Sequence, residues 1–137
     1  MLAHLLTVVG YVAATGLVQG LSHFKVNAAH YSAAGFFREA PIAPLGVLAM
    51  IVQGLILSLF YARYVPGDSL GSALMISWAF GAFLASYMAF GLAGELKVPS
   101  VGSWITVELG AALVQFTLFG LALWAAHHFA GSAAAQG

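Results

Sequence analysis

Long apolar runs and short polar breaks alternate along this chain: residues 2–22, 43–64, 70–92 and 104–127 are almost wholly apolar. Each run reaches the ~20 residues that a helix needs to cross a hydrocarbon core ~30 Å thick. Four such runs predict an all-α fold, a polytopic membrane protein built as a four-transmembrane-helix bundle. Residues 1–128 form one transmembrane domain on this reading, and residues 129–137, ending in "AGSAAAQG", form a short flexible C-terminal tail. No Lys or Arg precedes the first run, so it lacks the positive region of a cleaved secretory signal and is expected to stay as a membrane helix.

The breaks differ in kind. In "VPGDS", Pro66 and Gly67 reverse the chain tightly, and Asp68 or Ser69 is placed to cap the next helix. The first break, residues 23–42, and the third, "AGELKVPSVGS", are longer and hold clustered charges followed by proline. In an antiparallel four-span chain these longer breaks share one membrane face and both termini share the other. They predict a polar cap that gathers Lys25, Arg38, Glu39, Glu95, Lys97 and Glu108, leaving Arg63 and Asp68 opposite. Three basic residues against one favour placing the cap in the cytoplasm and the termini outside. Pro41 and Pro44 suit the first turn of the second span, where N–H groups have no intrahelical partner, and Pro99 precedes the fourth in the same way. Trp104, Trp124, Tyr61 and Tyr64 fall near span ends, as an interfacial aromatic belt requires.

Composition sharpens this picture. Apolar residues make up 62% of the chain and charged residues 6%, against roughly 45–50% and about 25% in soluble domains. Eight charges cannot cover a water-facing surface, whereas lipid asks for no such cover. A net charge of zero argues against a nucleic-acid partner, and the absence of cysteine removes disulfides, thiolate metal sites and cysteine nucleophiles. Helices associate in lipid through close approach at small residues. The third span carries an i, i+4 row of Ala73, Ser77, Gly81, Ala85 and Ala89, the second carries Gly54, Ser58 and Ala62, and the first carries Gly16 and Gly20. Such rows serve a bundle or an oligomer equally well. "AMIVQGLILSL" (49–59) and "AALVQFTLFGL" (111–121) align without gaps and suggest a repeated helical hairpin.

Few residues carry chemistry. Gln53 and Gln115 fall near the centres of parallel spans, where an amide either bonds between helices or lines a midplane site. Glu108 lies within the fourth span on the face of Trp104 and Gln115, so it must be paired, protonated or wetted. Arg38 or Lys97 is its expected partner, and the alternative is a role in binding or proton handling. His23, Asn27 and His30 would share a face if the first helix continued past the membrane, and His23 and His30 could then hold a divalent metal. His4, His127 and His128 near the other face could offer axial ligands to a tetrapyrrole. Neither cofactor is the leading expectation. Serine–histidine–acid order, phosphate loops and HExxH do not stand out, so nothing positive points to an enzyme.

"FFREAPIAPLGVLAMIVQGL" and "KVPSVGSWITVELGAALVQFTLFG" resemble segments of small bacterial integral membrane proteins with four predicted spans, through Glu39, Pro41, Pro44, Gly46, Gln53, Pro99, Glu108 and Gln115. The group has no established activity, so the resemblance implies architecture and a bacterial origin only; the inner membrane of a bacterium is the expected location. The function expected first is that of a scaffold or accessory subunit, self-associating or packed within a larger membrane complex. A small transporter or binding protein for a polar solute or ion, using Glu108, Gln53 and Gln115, is the alternative, and a cofactor-bearing subunit comes third. The topology makes a direct prediction: cysteines at Ser32 and Ser69 should react with an impermeant thiol reagent from opposite sides of the membrane. Labelling of both from one side would remove the four-span arrangement.

Overall fold

The computed structural model describes residues 1–38, 40–66 and 69–135, with side chains to residue 130. Glu39, Gly67 and Asp68 lie outside the described residues. Six helices follow one another: α1 (Leu2–Leu21), α2 (Ala28–Ala34), α3 (Ala43–Tyr64), α4 (Leu70–Ser86), α5 (Leu92–Glu95) and α6 (Val101–Ala135). Wide π turns at Ser22–Val26 and Tyr87–Gly91 extend α1 and α4. Four helical stretches, Leu2–Val26, Ala43–Tyr64, Leu70–Glu95 and Val101–Ala130, are long and apolar enough to cross a membrane. The chain is therefore an all-α bundle with the span count that its hydropathy predicts. α6 runs on through Ala135, beyond the point where the apolar run ends.

Local sequence explains where the helices begin. Ser69 accepts the Ser72 N–H through its Oγ, so of the two capping candidates in the second break the serine is seen in that role. Ser100 does the same for Ser103 at the start of α6. Pro44 occupies the first turn of α3.

α1 lies between α3 and α6, and α6 lies between α1 and α4. α3 and α4, though joined by a short turn, touch at few places, Phe60 against Phe80 among them, so the main packing order of the four long helices is α3, α1, α6, α4. Tyr11, Leu57, Phe116, Phe119 and Leu123 fill the bundle's interior, with Tyr11 edge-on to Phe119 at 4.8 Å between ring centroids. The small-residue row of the third span is buried, from Ala73 through Ser77, Gly81 and Ala85 to Ala89, and it faces α6. Ser77 donates to Phe116 O. A Cβ built on Gly81 would stand 2.5 Å from Phe116 Cγ.

The other rows divide. Gly54 is buried against α1, where a Cβ would come within 3.2 Å of Val8 Cα, and Ser58 is buried, but Ala62 is exposed. Gly16 and Gly20 have open space around them, so the row on α1 is not a seam within the chain. Close approach in α1 occurs at Gly10, where a Cβ would lie 2.8 Å from Ala122 Cβ of α6. The aromatic belt is also thinner than its positions suggest. Trp104 and Tyr61 are buried inside the bundle, and Tyr64 is exposed at its end.

Because the Gly81 seam is closed within the chain, a large side chain there should break the fold rather than an oligomer. Gly81→Leu is expected to lower thermal stability in detergent by about 3 kcal/mol or more, beyond the usual overpacking range of 1–3. Gly16→Leu, in open space, should leave it unchanged. Equal melting temperatures for the two variants would contradict the α4–α6 packing.

Candidate functional site

The first helix does not continue straight from His23 to His30, the condition on which the two would share a face. After Leu21 the ladder widens into a π turn in which the Asn27 N–H reaches Ser22 O at 2.8 Å, and the Asn27 side chain donates to Ser22 Oγ. The chain is redirected, and α2 starts anew. Gly35 ends α2 with φ of 72°, a left-handed conformation that favours glycine, and sends Phe36, Phe37 and Arg38 back over the end of the bundle.

This turn brings Tyr31 inward. Its hydroxyl donates to Glu108 Oε1 at 2.8 Å, and Glu108 is only 5% exposed. The buried acid is thus met by a phenol, and no ion pair with Arg38 or Lys97 forms among the described residues. The reason is positional: the π turn swings α2 inward over Glu108, while Arg38, Glu95 and Lys97 stay on the exposed rim. Burial above all holds the Tyr31 proton well above the ordinary tyrosine value of 10.0; Ser22 pulls the other way, and the bond to Glu108 and its charge each add a lesser upward push.

An aromatic shell surrounds this pair. His23 stacks on Tyr31 with ring centroids 3.7 Å apart and points Nδ1 at Gln19 O, 3.0 Å away, so that nitrogen carries the hydrogen. His30 lies over Trp104 at 5.5 Å and edge-on to Tyr31, with Nδ1 3.4 Å from Ser103 Oγ, while its Nε2 is buried without a hydrogen-bond partner. Trp104 is fully buried and donates through Nε1 to Met88 O, a carbonyl inside the second π turn. His23 and His30 therefore flank Tyr31 rather than sharing a helix face. Among the described residues, no three of His, Asp and Glu are grouped to hold a metal.

Beside the shell runs a groove of about 940 Å³, between the end of α1, α2, the Phe36–Arg38 segment and the start of α3. Its walls include His23, Tyr31, Phe36, Phe37 and Arg38, together with the apolar Phe24, Ile42 and Leu45.

Below the cap, polar side chains follow α1 through the bundle. Gln115 accepts from Gln19 Nε2 at 2.7 Å and donates to Thr15 Oγ1 at 3.0 Å. Tyr11 donates to Gln53 Oε1 at 2.8 Å, and its hydroxyl also faces Thr15 and Gln115. Gln53 and Gln115 do not meet directly; α1 joins them. At the other end of the bundle Ser58 Oγ lies 2.8 Å from His4 Nδ1 and 3.1 Å from His127 Nε2. A hydroxyl has one proton, so Ser58 donates to at most one of the two imidazoles and accepts from the other. His128 stacks on Trp124. Between the two polar groups the Tyr11 ring, Leu57, Phe119 and Leu123 make a dry layer.

Sequence reasoning singled out Glu108, Gln53, Gln115, His23 and Arg38, but not Tyr11, Thr15, Gln19 or Tyr31. The signal for most of these was present: His4, Thr7, Tyr11, Thr15, Gln19 and Ser22 recur at spacings of three and four along one helix. Comparison with family models, with curated proteins and with solved structures finds no match for this chain.

If the phenol is what makes Glu108 tolerable, Tyr31→Phe should destabilise the bundle by about 1–3 kcal/mol, the usual penalty for a buried group left unsatisfied. Adding Glu108→Leu should return most of that loss. Because Tyr31 holds its proton more tightly when folded, its contribution is complete below pH 10.0 and declines above it. The Phe variant should lack that alkaline decline in a denaturation series, and a decline equal to that of the parent would contradict this pairing.

Proposed function

We propose that the protein is a membrane-embedded binding protein that takes an amphiphile from the bilayer into the groove at its cap. One observation carries this reading: the groove joins a polar rim to an apolar floor at the level where the spans begin. Arg38 and Ser32 belong to the rim, while Phe24 ends one span and Leu45 opens another, all four on the groove wall. At about 940 Å³ it lies within the ~300–1,000 Å³ common for ligand pockets, and its apolar walls with a few convergent polar groups follow the same pattern. The midplane amides support binding at the cap more than passage through the bundle, because Gln53 and Gln115 are engaged by Tyr11, Thr15 and Gln19. The inner membrane of a bacterium, with the cap in the cytoplasm, is the location we propose, supported by the segment resemblance and the basic-residue count.

A scaffold or accessory-subunit role is the second reading. It is favoured by the open side of the bundle, where α3 rests mainly on α1 and α4 mainly on α6, leaving outward apolar faces such as Ile51, Leu55, Met75 and Phe83. A self-association that used these faces would leave the cap groove unoccupied.

The binding reading is tested with Trp104 as reporter, after Trp78→Phe and Trp124→Phe, since Trp104 stands 6.3 Å from Phe37 of the groove wall. A neutral single-chain amphiphile brominated along its tail should quench Trp104 saturably in nanodiscs. Ser32→Phe, which fills the groove, should abolish the saturable part and leave the circular dichroism unchanged. Quenching that stays linear in amphiphile and ignores Ser32→Phe would refute binding at this site.

A further inference from the structure

The groove's charge and shape narrow the ligand further. Among the described residues its wall holds one permanently charged side chain, Arg38, and one imidazole, His23. Among the described residues no carboxylate lies within ion-pairing distance of Arg38. Glu108 does not line the groove; it sits behind Tyr31, which holds its oxygen from the far side. A guanidinium on a partly apolar rim is electrostatically incomplete, and its planar fork matches a carboxylate through two parallel hydrogen bonds. Phe24, Ile42 and Leu45, 66%, 49% and 61% exposed, share the groove wall with Arg38 and give it apolar surface beside the end of the first span and the start of the second.

We infer that the groove holds a single-chain amphiphile with a monoanionic carboxylate head, the head on Arg38 and the tail along Phe24, Ile42 and Leu45. This rests on the binding reading above and adds the ligand's class. One guanidinium balances one negative charge. A phosphomonoester, with nearly two charges at neutral pH, would be left with excess charge beside a buried acid. A volume of about 940 Å³ in the range of ordinary small-molecule sites suits one chain and its head better than a two-chain lipid. His23 supplies a flat, partly polar wall at the head end, its Nδ1 hydrogen already committed to Gln19 O. The uncharged aromatic faces of Phe36 and Phe37 complete that end. Arg38 acts here by direct contact with the ligand's head, so its removal should erase discrimination between heads while sparing the affinity for tails.

The experiment uses the full chain in nanodiscs of zwitterionic lipid, with Trp104 as the only tryptophan. Three probes carry bromine at one tail position: stearic acid, stearyl alcohol, and phosphatidylglycerol, a two-chain monoanion. At pH 8 the acid should bind at least 10-fold more tightly than the alcohol, and phosphatidylglycerol should not compete with it. In Arg38→Gln the acid's advantage should fall to within 2-fold of the alcohol, with the alcohol's affinity unchanged, while Arg38→Lys should retain part of it. Acid and alcohol binding equally to the parent protein would overturn the carboxylate assignment and leave the binding function in place. An acid preference that survives Arg38→Gln would overturn the role of Arg38. Equal competition by phosphatidylglycerol would overturn the single-chain assignment. Saturable quenching by none of the three would defeat the binding function itself, and with it this inference.

Discussion

In a bilayer an apolar side chain gains little by leaving lipid for protein, so helices must be held by close contact and by hydrogen bonds. Here both devices converge on α1. It is the helix against which α3 and α6 pack, and its Tyr11, Thr15 and Gln19 supply partners for Gln53 and Gln115. Each interhelical hydrogen bond of this kind contributes about 0.6 kcal/mol. Their value is as much in register as in energy, because a helix that slid by one turn would leave several amides unpaired at once. α4 lacks such bonds to α1 and relies on its small-residue face, Ser77 and Gly81 lying directly on the backbone and ring of Phe116.

The cap follows from the same rule applied to one ionisable group. Glu108 sits two turns into α6, too deep for the rim charges and accessible to a side chain that arrives from above. Tyr31 can arrive because a π turn interrupts α1 at Ser22–Val26 and Asn27 lets α2 set out in a new direction. The second π turn, Tyr87–Gly91, performs a parallel service at Met88, whose carbonyl takes the Trp104 indole. Wide turns inside helices thus free the geometry that a regular ladder would not allow, and such turns are frequent at functional sites.

That redirected chain also makes the groove. With α2 folded inward on Tyr31, the Phe36–Arg38 segment returns toward α3 through the left-handed Gly35, and the space beneath it stays open. The polar rim and the apolar floor are therefore consequences of how one buried acid is satisfied. At the opposite end a comparable economy appears at Ser58, whose single hydroxyl joins His4 of α1 to His127 of α6.

Hydropathy and length determined the class, the span count and the approximate bounds of the helices, because lipid accepts little else from a chain with 62% apolar residues. The row from Ala73 to Ala89 was likewise legible, since close helix approach requires small residues at a fixed spacing. Partners were not. Gly16 and Gly20 look like a seam and face open space, while Gly10 makes the contact, because rotation of a nearly uniform apolar helix is set by its neighbours. Glu108 was recognisable as a group in need of a partner, but the partner is Tyr31 from 77 positions away and not a nearby charge. Only the tertiary structure decided that, since the choice depends on where a five-residue π turn sends the chain, and i→i+5 hydrogen bonds leave no periodicity that apolar and polar positions could reveal.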